Sequence, residues 1–167
     1  MQHGQALIAD EGIRFVFIHL PVPHPPGIYD RSTGKLRNGG TYIDNLALAD
    51  RSLDEMISSL NATASAGSTT LIVSSDHSWR TPMWTSNGGL LPEEQAASQG
   101  RFDPRPILLI HFPQQTQEVD VSRPFAQVDL HRIILSMLQG HIDSAAALEV
   151  WSQAQLSQEP DSRGQTN

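Results

Sequence analysis

The chain has 167 residues, a net charge of −7 and enough apolar residues for one modest core, so a single domain is the default expectation by length. Its single Lys and ten Arg form no basic run, which excludes a nucleic-acid footprint. With no Cys, disulfides and thiolate metal sites are excluded, and carboxylates and the seven His are the available ligands.

The longest apolar run, residues 15–20 around His19, is far short of the roughly 20 residues that span a bilayer. The first ten residues lack the basic start and apolar centre of a secretory signal. Residues 13–20 are apolar on both alternating faces and read as a central, buried strand. Pro21, Pro23, Pro25 and Pro26 then oppose both ladder and helix, and with Gly27, Gly34, Gly39 and Gly40 they predict an irregular loop over residues 20–38.

From Thr41 the pattern changes. Ile43, Leu46, Ala49, Leu53, Met56, Ile57 and Leu60 recur at helical spacing, with Asp44, Asp50, Arg51 and Asp54 between them, and predict an amphipathic helix. Residues 69–75 follow as a second, β-branched strand, completing a strand-helix-strand unit. Residues 79–103, rich in Gly, Pro, Ser and Gln, read as a long surface loop. Residues 106–110 predict a third short strand. Pro124 suits the first turn of a helix running to Leu138, with Gly140 ending it. A last helix covers residues 144–156, and residues 157–167 form a polar, disordered tail.

In a strand-helix-strand crossover the two strands run parallel, and their carboxyl ends share one edge of the sheet. Open α/β sheets bind ligands at that edge. It would present His19 and His24 from the first strand and Asp76 and His77 from the second. His111 joins them if the third strand is also parallel. Adjacent Asp and His suit a divalent ion, zinc or manganese ahead of calcium, because these ions accept mixed oxygen and nitrogen ligands. A metal so held polarises an ester oxygen and lowers the pKa of a bound nucleophile.

Each residue also has an ordinary structural reading. Asp76 can cap a turn and His77 can bond to loop backbone. His19, in line with Phe15 and Phe17, reads first as a satisfied core residue. His24, held among four prolines, is harder to explain by packing. Arg80 can grip an anion with its bidentate fork or sit at the surface beside Trp79. Asn45 and Asp50 fall on the crossover helix and read as structural, His131 and His141 as surface residues. Asn61-Ala-Thr63 matches a glycosylation sequon but stands without an export signal.

Taken in order, Phe15-Val-Phe-Ile-His-Leu-Pro-Val-Pro-His24-Pro-Pro, the helix from Tyr42 to Leu60 with its Asp50, and Leu71-Ile-Val-Ser-Ser-Asp76-His77 resemble consecutive landmarks of the sulfatase-like hydrolases and transferases of the alkaline phosphatase superfamily. Pro106-Ile-Leu-Leu-Ile110 and residues 128–138 resemble the later strand and helix, so the likeness covers about residues 13–140. The resemblance implies a layered α/β fold with a mainly parallel sheet flanked by helices, with residues 1–156 as the C-terminal part of the catalytic domain, truncated on its N-terminal side. It implies Asp76 and His77 as ligands of one divalent metal, and His24, with His19, as contacts to a small anionic ester, either sulfate or phosphate; Arg80 is a candidate contact by its own chemistry.

The sequence also departs from the family. Its nucleophile and early acidic ligand have no counterpart in these 167 residues, Ser78 stands where Gly usually follows the Asp-His pair, and no second His lies between Arg80 and Arg105. The chain is therefore expected to be inactive alone and to self-associate through an unpaired sheet edge. A non-catalytic α/β remnant or interaction module is the competing expectation. Relatives are commonly exported or membrane-anchored, and this sequence leaves the compartment open.

Overall fold

The computed structural model describes residues 2–78, 91–99, 101, 103–121 and 126–156. The chain falls into two units, Met1–Gly67 with His77–Arg105, and Ser68–Asp76 with Pro106–Asn167. Among the described residues there are two small sheets and five α-helices, a mixed α/β architecture. Both ladders among the described residues are antiparallel, and no mainly parallel sheet is shown there.

The first unit opens with α1 (Gln2–Ile8). Residues 13–20 carry no regular secondary structure, which corrects the expected central strand. Their alternation is one-sided: Val16, Ile18 and Leu20 are half-buried, while Phe15 is 51% and Phe17 78% exposed. A central strand needs cover on both faces and a partner on both edges. Ile18 meets α1 instead, where a Cβ on Gly4 would lie 3.4 Å from Ile18 Cδ1.

The expected loop over residues 20–38 is corrected as well. β1 (Gly27–Asp30) and β2 (Lys35–Gly40) pair as a hairpin, with Gly27 opposite Gly40, Tyr29 opposite Leu36 and Asp30 opposite Lys35. The prolines end at Pro26, so nothing forbids a ladder beyond it. Asp30 shapes the turn: its Oδ1 accepts the Ser32 N–H at 2.9 Å and the Thr33 N–H at 3.3 Å, and its carbonyl accepts the Gly34 N–H at 2.8 Å. Gly34 closes the turn at φ +68°, a conformation that suits a residue without Cβ.

The expected amphipathic helix forms as α2 (Tyr42–Asn61). Thr41 and Asp44 make a reciprocal capping box, with the Asp44 N–H donated to Thr41 Oγ1 at 3.0 Å and the Thr41 N–H to Asp44 Oδ2 at 2.9 Å. Partial burial pushes the Asp44 carboxyl up, but hydrogen bonds from Thr41 and the Arg31 N–H, with the Arg31 charge, outweigh it and leave the pKa below its usual value. A lowered folded pKa means stability that is full above the unfolded value, near ~4, and lost as pH falls through the folded value. Urea midpoints are expected to fall between about pH 5 and pH 3, and less so in Asp44→Asn. Equal pH slopes in the two proteins would refute the assignment.

Part of the expected 79–103 loop is helical: α3 (Pro92–Ser98) begins with Pro at its first turn. Residues 79–90 of that stretch lie outside the described residues. Glu94, 2% exposed, accepts the Tyr42 N–H at 2.8 Å and the Leu91 N–H at 3.0 Å. One carboxylate thereby satisfies donors at the N-termini of α2 and α3. Arg31 pairs with Glu93 and with Asp44 beside it.

The second unit holds β3 (Leu71–Ser74) and β4 (Leu108–His111), antiparallel, with Leu71 opposite His111, Ile72 opposite Ile110 and Ser74 opposite Leu108. β3 lies within the expected 69–75 segment, while β4 starts two residues later than the expected 106–110 strand and runs one residue past it, to His111. The helix expected from Pro124 starts later, as α4 (Leu130–Leu138) behind a 3₁₀ turn at Gln127–Asp129, and Pro124 lies outside the described residues. Gly140, at φ +77°, follows α4, where the Ser136 carbonyl accepts the His141 N–H at 2.8 Å and the Ile142 N–H at 3.4 Å. α5 (Ala145–Leu156) matches the last expected helix, and the polar tail falls outside the described residues.

Burial differs between the units. Phe112, Ile133, Ile142 and Leu148 form the apolar core of the second unit, with Ile110, Met137, Ala145 and Trp151 packed against it. In the first unit, the buried side chains among the described residues are Tyr29 and three polar ones, Asn45, Ser52 and Glu94. No helix among the described residues is long and apolar enough to cross a membrane.

Candidate functional site

β3 delivers the Ser74-Ser75-Asp76-His77 stretch. Its backbone pairing continues one residue past the strand, with the Ser75 N–H donated to Ile107 O at 3.2 Å and the Ile107 N–H to Ser75 Oγ at 3.0 Å. Asp76 and His77 follow as the chain leaves the ladder. Asp76 is exposed and His77 half-buried, and the division between the two units falls between them.

The His77 ring is oriented by its own loop. Nδ1 lies 2.6 Å from Ser78 O, and a carbonyl can only accept, so Nδ1 is the donor in this contact. Metal-ligating imidazoles are commonly held this way, one ring nitrogen donating to a carbonyl while the other faces the ion.

His24 has the same internal arrangement, with Nδ1 2.6 Å from Pro25 O, and its ring is exposed. The proline segment carrying it is fixed from α2. Asn45, fully buried, accepts the Ile28 N–H on Oδ1 at 2.9 Å, and Nδ2 faces the carbonyls of His24 and Pro26 at 3.1 Å and Pro23 at 3.4 Å. The Val22–Pro23 and Pro25–Pro26 peptide bonds are cis.

The other expected site residues are placed differently. His19 is exposed, so its reading as a core residue is corrected. Arg80 lies outside the described residues. His111 is exposed and sits opposite Leu71, at the start of β3, because the ladder is antiparallel. It therefore lies at the opposite end of β3 from Asp76. Among the described residues, no three His, Asp or Glu side chains form a group able to hold a metal ion.

Asn45 is structural, as expected, but its burial and its partners are not visible in the sequence: the buried line along α2 runs through Asn45 and Ser52, while Leu46 is 45% exposed. Glu94 was hidden in a stretch read as loop. The available signal was Pro92 with Glu two residues on, a helix start with an acidic first turn. No protein-family model, curated protein or solved structure matches the chain.

Proposed function

We propose that this chain is the C-terminal part of a sulfatase-like, metal-dependent sulfate or phosphate ester hydrolase or transferase of the alkaline-phosphatase-like α/β fold. In this reading Asp76 and His77 are two ligands of one zinc or manganese ion, and His24, assisted by His19 and Arg80, holds the anionic group of a small ester. The nucleophile and the remaining ligands come from outside these 167 residues, and the chain alone does not turn over. Self-association through the outer edges of the two-stranded sheets belongs to the same reading.

The observation that carries it is the Asp76-His77 pair leaving β3 with the His77 Nδ1 committed to Ser78 O. A metal at this pair would take the His77 Nε2, next in sequence to a carboxylate. A bound ion supplies Lewis acidity, polarising the ester oxygen and lowering the pKa of the attacking group. The chain's own part is to hold: Asp76 contributes negative charge and an oxygen donor, His77 a neutral nitrogen donor. His24 donates from Nε2 to the substrate anion when its ring is protonated, since Nδ1 is already engaged with Pro25 O.

Mn²⁺ titrated into the chain is expected to broaden the NMR signals of the His77 ring and the Asp76 amide before those of His3, His131 or His141. Asp76→Ala should weaken that effect about tenfold or more, as loss of one of few ligands does. Broadening that is equal in both proteins, or centred on other histidines, would sink the metal-ligand reading in favour of a non-catalytic module.

A further inference from the structure

We propose that Asn45 is the positioning residue for His24: its side chain fixes the backbone of residues 23–26 and thereby sets where the His24 ring meets a sulfate or phosphate group. This rests on the reading of His24 as the anion contact. The carboxamide belongs to α2, and it bonds to the carbonyls of Pro23, His24 and Pro26 in the segment that carries His24 and to the N–H of Ile28 in β1.

The bonding is asymmetric in a way that only an amide satisfies. Oδ1 needs a donor and finds the Ile28 N–H, while Nδ2 offers two hydrogens to three carbonyls, best to His24 and Pro26 at 3.1 Å and more weakly to Pro23 at 3.4 Å. Residues 21–26 include four prolines, which have no N–H of their own. Their carbonyls therefore have few backbone partners to turn to within the segment, and the buried Asn45 supplies what a ladder would. His24 is thus held through its own carbonyl, while its ring remains exposed.

Asn45→Asp separates positioning from packing, since it keeps the shape and the acceptor for Ile28 but turns an oxygen toward the three carbonyls. The test is NMR on the full 167-residue chain, titrated with inorganic phosphate and with sulfate. In the unmutated chain the His24 ring signals are expected to shift saturably, and His24→Ala to abolish the response. In Asn45→Asp the backbone signals of residues 23–28 should move while those of residues 47–60 stay, and the apparent Kd for phosphate at His24 should rise about tenfold or more.

Unchanged signals at residues 23–28, or an unchanged Kd, would overturn the positioning role. No saturable shift at His24 in the unmutated chain would instead overturn the anion-contact reading, and with it the purpose of the clamp. The two failures are distinguishable because the displacement of residues 23–28 is read without any anion. Where Asn45→Asp does not fold, the unmutated protein decides: the Asn45 side-chain amide should exchange with solvent much more slowly than that of the exposed Asn38, and equal rates overturn the proposal.

Discussion

Ile133→Ala is expected to destabilise the second unit by about 2–5 kcal/mol, the range for emptying a closed apolar site of an Ile side chain. Ile133 is fully buried, and its cluster draws Phe112 from beyond β4, Ile142 from the turn after α4 and Leu148 from α5. These residues come from separate segments, so collapse around the cavity would require several backbones to move together. Ile133→Val removes one methylene and should cost about 0.5–1.5 kcal/mol.

The loss should reach the candidate metal ligands through the sheet. Ile110 packs against the core and pairs with Ile72 in β3, the strand that leads to Asp76. Hydrogen exchange at the β3–β4 ladder and urea unfolding are the measurements. A cost for Ile133→Ala no larger than for Ile133→Val would mean that the cluster is not a closed core.

Gly27→Ala should be at least as damaging to the first unit. A Cβ on Gly27 would lie 1.7 Å from Gly40 O and 2.2 Å from Gly40 C, inside backbone that no rotamer change can clear. The reverse contact is also tight, with a Cβ on Gly40 placed 2.2 Å from Tyr29 O. The hairpin would have to open at Gly27–Gly40, so the cost should exceed the ~1–3 kcal/mol of ordinary overpacking. Opening it also detaches Ile28 from Asn45 and loosens the proline segment ahead of it. Loss of the β1–β2 cross-strand NOEs in Gly27→Ala is the expected signature. A variant with the hairpin intact and unfolding unchanged would show that the two strands do not approach so closely.

Where local chemistry settles local structure, the sequence was readable. α2 carries both its periodicity and its start signal, because Thr41 and Asp44 are three residues apart and need nothing else to cap the helix. Gly140 ends α4 for a similarly local reason, its positive φ. The hairpin is also encoded locally, in Asp30 and Gly34, beyond the four prolines, whose prohibition of a ladder ends at Pro26. α3 is local too, with Pro92 at its start, but lies in a composition that reads as loop.

The rest depended on partners distant in sequence. Residues 13–20 have the apolar character of a strand, but a strand exists only by its ladder, and among the described residues they have none. Leu71–Ser74 and Leu108–His111 are short apolar runs whose composition is the same for either direction of pairing. Only the ladder fixes them as antiparallel and carries His111 away from Asp76. Asn45 lies 19–22 residues from the carbonyls it faces, too far for any local pattern to reveal the contact.

By itself, then, the sequence determined α2 and its cap, the strand character of β3 and β4, and the Asp76-His77 pair at the end of a strand, all features set by neighbours within a few residues. Tertiary structure alone decided the direction of the strands, the exposure of Phe15, Phe17 and His19, and the partners of Asn45 and Glu94. Those depend on which segments meet in space, and burial and pairing are properties of that meeting.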